Sequence, residues 1–136
     1  MNVLVVEPGF LPYEKEINGL PDMREIVGGP IDAIYPFKEN VAVVYNAQGK
    51  NRNMEFNRSI PERSYGGVFG PFFVCGLGEE SFTSLTPEQV KTYTERFRPA
   101  EALVTMLGKT PVVLETVAKR KRCPGRPKRP PKPKKR

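Results

Sequence analysis

The residues whose types and spacing most plainly could do chemistry lie at the end of the chain. From Lys119 to Arg136, 11 of 18 residues are basic and none is acidic: Lys119, Arg120, Lys121, Arg122, Arg126, Lys128, Arg129, Lys132, Lys134, Lys135 and Arg136. Their chemistry is electrostatic, because lysines and arginines along an extended segment neutralise phosphates and release counterions. Gly125-Arg126-Pro127 adds shape. A backbone with no side chain at Gly125 can lie in a minor groove about 6 Å wide. Pro127 keeps the backbone extended, and Arg126 then projects along the groove floor, which is narrow and strongly negative in A·T-rich DNA. The same charges could serve a generic polyanion tail touching RNA, or an anionic lipid surface. A membrane reading would want an amphipathic helix or an anchor beside the charges. Five prolines (Pro124, Pro127, Pro130, Pro131 and Pro133) oppose a helix there. Double-stranded DNA is the expected partner, and no membrane contact is expected.

A second polar cluster falls between residues 50 and 67. Arg52, Asn53, Arg58 and Arg63 could reach phosphates and base edges, and Tyr65 could stack on a base. An ordinary solvated loop would have the same composition.

Catalysis finds less support. The chain has no histidine, the commonest general base and metal ligand. Ser81, Ser84 and Cys75 therefore have no imidazole to activate them. Glu79-Glu80 and the pair Glu14 and Glu16 read as solvated acids. Gly66-Gly67-Val68-Phe69-Gly70 lacks the spacing of a phosphate-binding loop. Two cysteines, Cys75 and Cys123, cannot supply a tetrahedral thiolate site, and they do not form a disulfide framework. The expectation is no catalytic residue, no cofactor and no metal, in a reducing, cytoplasmic setting where association with the nucleoid would be natural. Residues 1–6 are too short an apolar stretch for a secretory leader, and no apolar run approaches a membrane span.

The elements that would position these groups follow from pattern. The chain carries 22 basic and 15 acidic residues; with the 11 terminal cations set aside, residues 1–118 hold 11 basic residues against 15 acids, a net −4. An acidic body thus carries a strongly basic extension. Asn2 to Val6 reads as a buried strand, Tyr13 to Ile17 as its hairpin partner, and Pro21 to Val27 as a short helix stopped by Gly28-Gly29. Residues 31–36 and 41–46 read as two strands, and 68–75 as a central one. Residues 50–67 read as a long loop with a short strand at 54–57. Thr86-Pro87-Glu88-Gln89 opens the clearest helix, with Thr86 as N-cap and Gln89 completing a capping box; Pro99 closes it. Ala100 to Leu107 is compatible with one more short helix, and Pro111 to Val117 with strand or helix. The expected architecture is α+β: a small, mostly antiparallel sheet with two helices over residues 1–107, a connecting segment over 108–118, and a disordered Lys/Arg/Pro-rich tail over 119–136.

Two resemblances add to this. Val3-Leu4-Val5-Val6-Glu7-Pro8-Gly9, Val27-Gly28-Gly29-Pro30-Ile31, Asn46-Ala47-Gln48-Gly49-Lys50, Gly70-Pro71-Phe72-Phe73-Val74 and Phe82-Thr83-Ser84-Leu85-Thr86 occur in that order. Over residues 2–97 the chain resembles a family of domains of unknown function found in Gram-positive bacteria, their plasmids and their phages. That resemblance implies a small α+β domain and a mobile-element setting, and it transfers no activity. Pro124-Gly125-Arg126-Pro127-Lys128-Arg129-Pro130 resembles the AT-hook, a minor-groove motif with a Gly-Arg-Pro core in basic flanks, although Pro124 stands where that motif usually has arginine. The expectation is a non-enzymatic accessory protein of a phage or mobile element that contacts DNA through its tail. The alternative is a protein-interaction module, for instance an inhibitor of a host defence nuclease, with a host protein as partner.

Overall fold

A computed structural model describes residues 1–120 of the chain. Its elements, in order, are β1 (Asn2–Val6), β2 (Tyr13–Glu16), α1 (Gly19–Val27), β3 (Ile31–Ile34), β4 (Val41–Asn46), β5 (Phe56–Ile60), a 3-10 turn (Glu62–Ser64), β6 (Gly66–Phe69), β7 (Phe72–Leu77), β8 (Phe82–Thr83), α2 (Pro87–Arg96), β9 (Ala100–Leu107) and β10 (Thr110–Thr116).

The central sheet runs β2-β1-β7-β4-β3, with β8 added to the end of β7. All strand pairs among the described residues are antiparallel. Its middle strands are near-continuous apolar runs: Val3 to Val6, Val41 to Val44 and Phe72 to Cys75 are all buried. Such runs arise when both sheet faces are covered. On one face Leu4, Val6, Val43, Phe72 and Val74 pack with Ile60 and Val68 of the β5–β6 hairpin and with Tyr93 and Phe97 from α2 and its end. On the other, Val3, Val5, Val44, Phe73 and Cys75 pack with Met23 and Val27 of α1. Burial alone pushes the Cys75 thiol up to about 12.

Helix α2 starts as its sequence dictates. Thr86 Oγ1 accepts the Gln89 N–H at 3.1 Å, and Gln89 Oε1 accepts the Thr86 N–H at 3.0 Å. Helix α1 ends at Gly28, whose φ of 81° is the left-handed conformation glycine adopts freely.

Three segments differ from the sequence expectation. Residues 56–69 form a hairpin, β5–β6, rather than a loop with a short strand, so the central strand expected over 68–75 loses Val68 and Phe69 to β6 and starts only at Phe72, after Gly70 turns the chain with a φ of 87°. Ala100–Leu107 is a strand, not a helix, although alanine, glutamate, leucine and methionine favour helices. The segment expected as a connector holds β10, which pairs with β9 from Thr110↔Leu107 to Thr116↔Ala100. This cross-strand pairing overrides local propensity, as tertiary context commonly does.

Candidate nucleic-acid interface

The turn after β4 is set by Asn46, which is buried. Its Nδ2 donates to the Val27 carbonyl at 3.1 Å, and its Oδ1 accepts the Gln48 N–H at 2.7 Å. Gly49 then passes so close to β6 that a Cβ there would meet the Phe69 carbonyl oxygen at 2.5 Å. This close approach throws Arg52 and Asn53 outward. Both are exposed; Arg52 Nη1 lies 3.5 Å from the Gly28 carbonyl, and Asn53 has a left-handed φ of 56°.

The structure corrects the reading of Arg58 as an exposed contact: its side chain is fully buried. Nε and Nη2 donate to the Phe97 carbonyl, Nη2 also to the Phe10 carbonyl at 2.8 Å, and Nη1 to Asn57 Oδ1 at 2.8 Å. Asn57, equally buried, donates from Nδ2 to the Val6 and Gly70 carbonyls at 2.9 Å each. Burial lowers the guanidinium to about 10, with Glu101 pulling the other way and Arg96 adding to the depression. A buried cation answered mainly by carbonyl oxygens is a strut between β5, the 7–12 segment and the end of α2, and it cannot reach a phosphate.

Arg63 and Tyr65 are exposed on the connection between β5 and β6. Arg63 and Ser64 are consecutive non-glycine residues in the left-handed region, with φ of 53° and 61°. Such conformations cost of order 1–3 kcal/mol each and gather at functional sites. The connection is braced from below: Glu62 takes both Nε and Nη2 of Arg96, at 3.4 and 3.2 Å, and Arg96 stacks over the Phe97 ring at 4.8 Å. It is closed from the side by the tip of the β9–β10 hairpin. Gly66, with φ of 90°, lies so near that tip that a Cβ would meet the Lys109 carbonyl oxygen at 2.6 Å. Lys109 is thereby brought beside Ser64. Sequence reasoning overlooked it, although Leu107-Gly108-Lys109-Thr110, glycine first between two apolar runs, is a two-residue hairpin signal.

Of the terminal cations, Lys119 and Arg120 are described, and both are exposed. The Lys119 N–H donates to the Gly9 carbonyl at 3.0 Å, and the Lys119 carbonyl accepts the Leu11 N–H at 2.8 Å. The extension is thus pinned to the body one residue into what the sequence sets apart as a tail. Lys121, Arg122, Gly125, Arg126, Pro127, Lys128, Arg129, Lys132, Lys134, Lys135 and Arg136, and the expectation of disorder over them, lie outside the described residues.

Two cavities adjoin these groups. The larger, about 700 Å³, lies between the 50–56 segment and β9, with Phe56, Phe69, Leu103 and Met106 against Lys50 and the carboxylates Glu55 and Glu101. The smaller, about 320 Å³, lies between Ser64 and the hairpin tip. Among the described residues no group of three His, Cys, Asp or Glu side chains could hold a metal ion, and no helix is long and apolar enough to cross a membrane.

The fold and its exposed polar loops define a small α+β domain with both sheet faces covered, extended by a C-terminal hairpin and a basic stretch. The chain belongs to the DUF3846 family, a domain of unknown function, which matches residues 1–98. The β9–β10 hairpin and the basic residues follow the matched region. No curated protein and no solved structure matches the chain.

Proposed function

We propose that the protein is a non-enzymatic, nucleic-acid-binding accessory protein of a phage or other mobile element, acting in the cytoplasm, where it holds double-stranded DNA through its basic C-terminal residues. One observation carries this reading: 11 cations and no acid from Lys119 to Arg136, on a body of net −4. A segment so charged gains from counterion release on a polyphosphate, and Gly125-Arg126-Pro127 suits a narrow minor groove. Arg52, Asn53, Arg63 and Tyr65 are the exposed residues that could add a second contact. The test compares Arg126→Ala and Lys134→Ala in the full chain, on A·T-rich and G·C-rich duplexes. Lys134→Ala should weaken both duplexes equally, and Arg126→Ala should remove mainly the A·T preference. Identical behaviour of the two would reduce the segment to a charge brush.

A second reading, a module that binds a host protein, is favoured by the β9–β10 hairpin, which leaves Val104, Leu107 and Leu114 each more than half exposed. Exposed apolar side chains on a hairpin suit a protein contact. Leu107→Ser with Leu114→Ser should then abolish partner binding and leave DNA binding intact.

A further inference from the structure

We propose that the cavity between Ser64 and the hairpin tip binds one phosphate group of the nucleic-acid backbone, so that the folded domain makes a phosphate contact of its own. This rests on the nucleic-acid reading above. The cavity is lined by Ser59, Ser64, Lys109 and Thr110, with two prolines and Gly66 completing its wall. Between them these residues carry one ammonium and three hydroxyls, and no carboxylate lines the cavity. The side-chain polar atoms of these four residues make no hydrogen bond or ion pair among the described residues. A concavity lined by residues with donor side chains and by no carboxylate is suited to an oxyanion, which only accepts hydrogen bonds.

The neighbouring acids do not spoil the site. Glu62, on the same connection, is neutralised by Arg96 at 3.2 Å. Glu101 accepts the Ser59 N–H at 2.9 Å and faces the larger cavity. Arg63, next to Ser64 in the chain, is a further exposed cation on the same turn.

Backbone strain supports a ligand role for Ser64. Its φ of 61° would suit glycine better, and strained positions of this kind gather at ligand sites. The site is also composite. Ser59 and Ser64 belong to the family domain, whereas Lys109 and Thr110 come from the hairpin that follows it. The closeness of Gly66 to the Lys109 carbonyl holds the two halves together.

The experiment uses the full chain. Amide NMR shifts are followed on adding inorganic phosphate, and duplex affinity is measured across salt concentrations for the parent, Lys109→Gln and Ser64→Gly. Ser64→Gly removes the hydroxyl while relaxing the left-handed strain, so weaker binding by that variant cannot come from lost folding. The expected results are phosphate-dependent shifts at Ser64, Gly66, Lys109 and Thr110, and a salt slope reduced by about 1 in Lys109→Gln, the value of one lost phosphate contact. Ser64→Gly should bind the duplex several-fold more weakly. If the duplex binds, phosphate moves none of these amides and both variants keep the parent slope and affinity, the site is refuted and the nucleic-acid reading stands. If no duplex binds but phosphate shifts these amides in the parent and not in Lys109→Gln, the cavity is an oxyanion site, its assignment to nucleic acid is overturned, and the functional reading falls with it.

Discussion

Nε and Nη2 of Arg58 both donate to a single acceptor, the carbonyl oxygen of Phe97, at 3.1 and 3.0 Å. Phe97 caps the end of α2, where carbonyls lack intrahelical partners and a cation is favoured. Arg58→Ala would leave the Phe97 and Phe10 carbonyls and Asn57 Oδ1 buried without this donor. We expect a loss of about 3 kcal/mol, the scale of breaking a buried charged network. Arg58→Lys should recover only part of it, because one ammonium cannot span three acceptors. Urea unfolding measures both; a change under 1 kcal/mol in Arg58→Ala would show that the guanidinium is dispensable.

Arg58 also marks where the sequence stops being legible. Asn57-Arg58-Ser59 has the composition of a loop, and nothing local distinguishes a buried arginine from a solvated one. Besides the adjacent Asn57, its partners lie at Phe10 and Phe97, far away in the chain. The central strands were legible because burial on both faces leaves unbroken runs of valine and phenylalanine. Helix α2 was legible because Thr86, Pro87 and Gln89 act within one turn. Residues 100–116 were not, since β9 and β10 are strands only by virtue of each other. Arg52, Asn53, Arg63 and Tyr65 stand out by residue type, and the structure shows each of them exposed. Ser64 and Lys109 could not be paired, because their proximity depends on a glycine approach between two hairpins.

Thr86→Ala should cost about 1 kcal/mol, since both hydrogen bonds of the capping box depend on Thr86 at the start of α2. Thermal melting and urea titration should agree. Thr86→Ser should be close to neutral because it keeps the accepting oxygen.

Stability should fall on the alkaline side. The folded protein holds the Cys75 thiol up at about 12, against an ordinary 9.0. The unfolded chain therefore releases this proton first, and stability present below pH 9 is lost as pH rises from 9 towards 12. At pH 10 the loss from this thiol is about 1.4 kcal/mol. Tyr93, raised by burial and by its hydrogen bond to Glu39, adds a loss of the same sign. Cys75→Ala should flatten the fall between pH 8 and 10; the lowered Arg58 acts in the opposite direction as pH approaches and passes 10, and does so in both chains alike. An unchanged slope in that variant would show that the thiol is accessible to base.

Shortening the chain should separate fold from extension. A chain ending at Arg120 keeps both hydrogen bonds of Lys119 to the 9–11 segment and should melt like the full chain. One ending at Ala118 loses both and should be less stable by about 1 to 2 kcal/mol. Equal melting of the two shortened chains would make that pairing energetically silent.

Duplex binding should fall steeply with salt. If roughly five of the terminal cations contact phosphates, the slope of log K against log salt should be about −4 to −5. The peptide from Lys119 to Arg136 should reproduce most of that slope. A chain ending at Arg120 that bound as tightly as the full one, with a shallow slope, would transfer the main contact to the folded domain.

The pairing of Lys119 with Gly9 and Leu11 also acts as a mooring. The 17 residues from Arg120 to Arg136 can span at most about 60 Å, whatever path they follow. A duplex caught anywhere along them is tethered within that radius of the domain. A domain contact too weak to form between free molecules would then meet its target at an effective concentration in the millimolar range. Two grips, each modest alone, would multiply. The length of chain beyond Lys119, as much as its charge, would set how tightly the protein holds on.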